Sequence, residues 1–109
     1  MLNKTLTDKL FLINLHRESD KMKSLSVVSD DELQKYYKTI SSNVKRIRKA
    51  HSKPQLDLVL EMGMKSTSFY SKCENAKDNH HFNLEHLLKI SKVLKVDINN
   101  FFEGIETVV

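Results

Sequence analysis

The chain has 109 residues with two glycines, one proline and no tryptophan, which fits one small helical domain plus extensions and excludes a turn-rich β-protein. Its net charge of +4 is uneven: residues 33–95 carry thirteen Lys/Arg against five Asp/Glu, residues 1–32 five against six, and residues 96–109 none against three. A solvated lysine face is one meaning of a basic centre between mildly acidic ends, and a polyanion footprint is the sharper one.

No apolar run approaches the ~20 residues of a membrane span. The first ten residues lack the pattern of a secretory signal, and a lone cysteine cannot form an internal disulfide, so a cytoplasmic protein without a membrane partner is expected.

Residues 1–29 form an N-terminal extension. Leu2, Leu6, Leu10 and Ile13 step like one face of a helix, and helix is the preferred assignment. The run 10–15 also suits a strand that pairs with 21–28. Such apolar surface should pack, either on its own domain or on a second copy of the chain.

Ser29 with Glu32 fits a capping box and starts a helix to about residue 50, with Asp30 and Asp31 in its favourable first turn. Leu33, Tyr37, Ile40, Val44 and Ile47 are its expected buried stripe, with Arg48 beside it and Tyr36 packing along it. A second helix runs from 54 or 55 to about 62. Leu56, Val59 and Leu60 recur at helical spacing, with Leu58 and Met62 beside them. Gly63 breaks the pattern.

A short polar helix then spans about 66–74. Met64, Phe69 and Cys73 mark its apolar side, and Asn75 is a candidate left-handed terminator. Its surface offers hydroxyls and ammonium groups with no acid before Glu74, as a helix facing nucleic acid would. Asn83 caps a fourth helix, 84–94, with Leu84, Leu87, Leu88, Ile90, Ser91 and Leu94 as a wide apolar face. Asp97 caps a last helix, 98 to about 103, with Phe101 or Phe102 turned inward, and residues 104–109 are a tail.

His80, His81 and His86 do not make a metal site, because adjacent loop histidines do not converge on one ion and no cysteine cluster helps. No catalytic constellation is recognisable. Neither an enzyme nor a cofactor is expected.

Two helices joined at a glycine form a helix-turn-helix candidate. The residues around it extend the pattern: the run 44–49 (VKRIRK), Gln55, Leu58-Val59, Gly63-Met64, Glu74-Asn75, the leucine-rich helix from Leu84 to Leu94, then Val96-Asp97-Ile98 and Phe101. In this ordered set residues 40–102 resemble the Cro/C1-type helix-turn-helix domain, also called the xenobiotic-response-element family.

The resemblance implies an all-α, five-helix lambda-repressor-like domain over residues 30–103. It further implies a transcriptional regulator, in the first place a repressor, that binds near-palindromic double-stranded operator DNA as a homodimer. Carried over, Ser66, Thr67, Tyr70 and Ser71 face base edges from a recognition helix in the major groove. Gln55 touches a phosphate and can brace that helix. Arg48 and Glu74 match the family's structural ion pair. Lys45, Lys49, Lys53, Lys65 and Lys72 supply phosphate contacts.

Three departures stand out. Pro54 occupies a position that is commonly Ser or Thr. Gly63 to Glu74 is one residue longer than usual. The family's Gln and Arg base readers are missing. A protein-interaction module that keeps the fold, or an antitoxin-like autorepressor, is the alternative.

Overall fold

A computed structural model describes residues 27–105. The expectations for residues 1–26 and for most of the C-terminal tail lie outside those residues. The chain divides into two units, residues 1–33 and 34–109, and the core described here belongs to the second. The described residues are all-helical: α1 (Asp30–Ala50), α2 (Gln55–Glu61), α3 (Thr67–Glu74), α4 (Leu84–Leu94) and a 3₁₀ helix (Ile98–Phe102). No strand occurs among them.

The start of α1 follows its sequence signal. Ser29 Oγ accepts the N–H of Glu32 at 3.1 Å, and three acids fill the first turn while Arg48 and Lys49 sit in the last. Both charge placements complement the helix dipole. The expected stripe is buried only in its second half. Val44 and Ile47 are in the core, Ile40 packs against it half-buried, and Leu33 is exposed. Tyr37 is half-buried and stacks on His81, ring centroids 3.7 Å apart and nearly parallel.

α2 packs on α3 and α4, and α4 packs on the 3₁₀ helix. Val44, Leu58, Val59, Tyr70, Cys73, Ile90 and Phe101 are at most 1% exposed at the centre of one hydrophobic cluster. Burying each aliphatic side chain there contributes about 1.5–3 kcal/mol. Two apolar faces differ from expectation. In α2 the buried set is Leu58 and Val59, continued by Met62 at the C-cap, while Leu56 and Leu60 face solvent. In α4 Leu87, Ile90, Ser91 and Leu94 are buried, while Leu84 and Leu88 are exposed. In both helices more leucines occur than one face can hide, so periodicity alone selects several equivalent stripes.

Asn83 caps α4 as expected, through a box whose third-residue partner is a histidine. Asn83 Oδ1 accepts the His86 N–H at 2.8 Å, and the Asn83 N–H donates to His86 Nδ1 at 3.1 Å. The ring therefore accepts at Nδ1 and is neutral, in keeping with burial that pushes its pKa down. The fifth helix is a 3₁₀ helix. Asp97 Oδ1 accepts from the Asn99 N–H two residues on, which favours a tight turn in a segment that Gly104 soon ends. Phe101 points into the core, and Asn43 Nδ2 donates to the carbonyls of Phe101 and Glu103 at 2.9 and 2.8 Å. That side chain fastens the turn to α1.

The four α-helices of the described residues end in one hydrogen-bond pattern. A residue at positive φ follows each: Ser52, Gly63, Ala76 and Lys95, with φ of 52°, 77°, 49° and 58°. The next N–H returns to a carbonyl five residues back, in Lys53→Arg48, Met64→Val59, Lys77→Lys72 and Val96→Ser91, at 2.9–3.2 Å. These are Schellman caps, and only one has the glycine that the left-handed conformation favours. The terminator of α3 is thus Ala76, not Asn75, whose φ is −93°.

Ala76→Gly should stabilise the fold by about 1 kcal/mol by removing a Cβ from a left-handed backbone. Gly63→Ala should destabilise it by a similar amount although no atom lies within 4 Å of the added Cβ. Urea denaturation of both variants checks the pair.

Candidate nucleic-acid interface

The polar helix α3 is fixed from below by its last residue. The side chain of Glu74 is 0% exposed, and its two oxygens accept four hydrogen bonds. Arg48 Nη2 and Gln55 Nε2 donate to Oε1 at 2.8 and 3.1 Å, while Arg48 Nε and the Tyr70 hydroxyl donate to Oε2 at 2.8 and 2.6 Å. The Arg48 contact is bidentate, the strongest geometry open to such a pair. Arg48 Nη1 also donates to the Lys53 carbonyl at 2.8 Å. One turn of α3 is therefore tied to α1, to the α1–α2 connection and to the first residue of α2. Ser41 adds a donation from its Oγ to the Cys73 carbonyl at 2.8 Å. No buried side-chain polar atom among the described residues lacks a partner.

The electrostatics follow from this arrangement. Burial by itself raises the pKa of Glu74, but the hydrogen bonds from Arg48, Tyr70 and Gln55 outweigh it and hold the carboxyl below its ordinary value. Hydrogen bonding to Glu74 raises the pKa of Arg48 against the opposing effect of burial. Burial first, and then the bond to Glu74, pushes the Tyr70 hydroxyl far above its usual range. The site is a charged pair plus a neutral phenol, a structural arrangement with no group poised to titrate near neutrality.

The four residues expected to face bases separate. Tyr70 does not: it is 0% exposed, with its hydroxyl bonded to Glu74. The error has a physical cause. Pairing Phe69 with Cys73 selects one face of α3, whereas the core takes Tyr70 with Cys73, a face turned by about 50°. The telling signal was Tyr70 four residues before a glutamate that must be buried, since a buried phenol needs an acceptor for its O–H. Ser66 is exposed, but its Oγ caps α3 by accepting the Phe69 N–H at 3.1 Å and lies 3.2 Å from Ser68 Oγ. Thr67 and Ser71 are half-buried, and Ser71 Oγ accepts from Asn75 Nδ2 at 3.4 Å. Two residues outside the expected set are exposed beside them, Ser68 and Phe69.

The cations also divide. Lys49, Lys65 and Lys72 are exposed and Lys45 is half-buried. None of the four appears among the ion pairs of the described residues, whereas Lys53 Nζ lies 2.8 Å from Glu61. A phosphate at Lys53 would compete with that carboxylate. Gln55 is half-buried with its amide nitrogen on Glu74, which is the bracing role. Pro54 precedes α2 without a side-chain cap.

Lys45 joins Lys38, Ser42 and Asn75 along a shallow cavity of about 220 Å³ between α1 and the end of α3. No group of His, Cys, Asp and Glu among the described residues could hold a metal ion, and no described helix is long and apolar enough to cross a membrane. Compared with protein-family models, curated proteins and solved structures, the chain matches none.

Glu74→Ala should cost about 3–5 kcal/mol, because it strands the Arg48 charge in the core. The double replacement Arg48→Met with Glu74→Leu should cost markedly less. A carboxyl with a depressed folded pKa stabilises above its unfolded value, near 4.5, and loses that contribution as pH falls through and below it. Urea midpoints of wild type and the double variant between pH 7 and pH 3 should therefore converge in acid.

Proposed function

We propose that this chain is a sequence-specific DNA-binding regulator, a repressor in the first instance, built on a lambda-repressor-like helix-turn-helix. In this reading α2 is the scaffold helix and residues 66–74 are the recognition segment that enters the major groove. The carrying observation concerns charge. The single carboxylate of α3 is buried under Arg48, so the surface of this helix is hydroxyl, aromatic and ammonium, with nothing to repel a phosphate backbone.

The resemblance of residues 40–102 to Cro/C1-type domains supports the same reading. So do the three exposed lysines, Lys49, Lys65 and Lys72, with no acidic partner among the described residues. The bound form is a homodimer on a near-palindromic site, its two recognition helices one DNA turn apart, about 34 Å. Phosphate contacts come from Lys45, Lys49, Lys65 and Lys72. Ser68 joins Ser66, Thr67 and Ser71 among the hydroxyls at the groove, and Tyr70 leaves that set.

A second reading, the fold as a protein-interaction module with DNA reading lost, draws on the leucines left in solvent, while an antitoxin-like autorepressor is a variant of the first. Leu56 and Leu60 on α2 and Leu84 and Leu88 on α4 are 47–70% exposed.

Gel-shift and footprint series on duplexes from upstream of the protein's own gene, at several salt concentrations, separate the two. The repressor reading expects a protected near-palindrome and a steep fall of affinity with salt. Lys49→Ala should weaken all duplexes alike and reduce the logarithmic salt slope by about 1. Absence of any protected site at low salt would reject the repressor and favour the module.

A further inference from the structure

Phe69 occupies the first turn of α3, three residues after the cap, with its backbone N–H on Ser66 Oγ at 3.1 Å. It is the large apolar side chain of that turn and it is 36% exposed, while its neighbour Tyr70 is wholly buried. The rest of the ring is braced. Its centroid lies 5.5 Å from that of His80 and 5.8 Å from that of His86, both in edge-on geometry.

Those imidazoles are themselves held. His86 is locked in the cap of α4, and His80 Nδ1 lies 3.1 and 3.0 Å from the carbonyls of Lys77 and Asp78. The ring is thus fixed on one side and bare on the other. Around it on the first turn stand only Ser66, Thr67 and Ser68, whose hydroxyls donate or accept and bond equally well to several bases.

We propose that Phe69 is a specificity-determining residue that contacts the C5-methyl of a thymine. This inference rests on the DNA-binding reading above. Among the groups that base pairs display in the major groove the thymine methyl is the apolar one. A pre-held ring meets it with little further loss of side-chain freedom. Discrimination by this helix therefore falls on the phenyl ring, and the hydroxyls contribute affinity without choosing bases. If the ring served merely to cover His80 and His86, its replacement would alter stability and leave base preference unchanged.

The test uses the full chain and needs no variant for its first arm. Duplexes retained from a random pool define the bound site, and each thymine of that site is then replaced by deoxyuridine, which differs by the methyl alone. At one position in each half-site the wild type should lose about four-fold in affinity, the worth of one buried methyl. Phe69→Ala, verified as folded by circular dichroism, should bind both duplexes equally at that position.

Equal binding of thymine and uracil duplexes by the wild type at every position would overturn the inference and leave the DNA-binding reading intact. So would a methyl preference that survives in Phe69→Ala. Should that variant not fold, the wild-type comparison with Phe69→Leu, which shrinks the contact, replaces it. A reduced thymine-to-uracil ratio supports the inference and an unchanged one overturns it. Failure to retain any duplex at low salt would reject the DNA-binding reading itself, and this inference with it.

Discussion

The carboxylate of Glu74, out of water and surrounded by four hydrogen bonds, is the constraint that ties α1, α2 and α3 together. A charge in the core is tolerable only while every lone pair is matched, because desolvation exceeds what an imperfect partner returns. Arg48 comes from α1, Gln55 from the start of α2 and Tyr70 from α3 itself. A shift of any of these by an ångström would open a bond whose loss the low-dielectric surroundings magnify. Arg48 and Ser41 lie two turns apart on α1 and grip the same end of α3, one by its side chain and one by its Cys73 carbonyl. The network therefore does more than stabilise. It sets the rotation of α3 about its own axis.

That rotation decides which side chains reach solvent. With Tyr70 and Cys73 committed to the core, Ser68, Phe69 and Lys72 turn outward, and the helix shows no negative charge. An arginine and a glutamate buried together leave the surface chemistry of α3 to residues that never touch them. The caps serve the same end. Short helices of seven and eight residues are marginal alone, and closing their last carbonyls with returning N–H groups keeps the turn on either side of α3 in one geometry.

Much of the architecture was legible because strong local signals agreed. Ser29, Asn83 and Asp97 all act as caps, Gly63 does end α2, and helix positions fall within a residue or two of the pattern. Pairing of Arg48 with Glu74 followed from a family likeness rather than from any periodicity. Side-chain facing was less legible. α2 and α4 carry surplus leucines, so the buried faces had rivals of equal hydrophobicity. In α3 the choice between Phe69 and Tyr70 turned on a hydrogen bond to a residue four positions on. The left-handed positions at Ser52, Ala76 and Lys95 carry no compositional mark, because tertiary packing imposes a backbone that the residue type does not favour.

Cys73 gives the same burial a chemical meaning. Its thiol is inaccessible, and burial pushes its pKa up, so both routes to a reactive thiolate are closed in the native state. Cys73 sits one residue before Glu74, and its backbone carbonyl accepts the Ser41 hydroxyl. Any oxidant or alkylating reagent must wait for α3 to lift from α1, and such openings are rare for a segment tied this tightly. The rate of modification at this atom is consequently a clock for the opening of the polar helix, set by the buried carboxylate beside it.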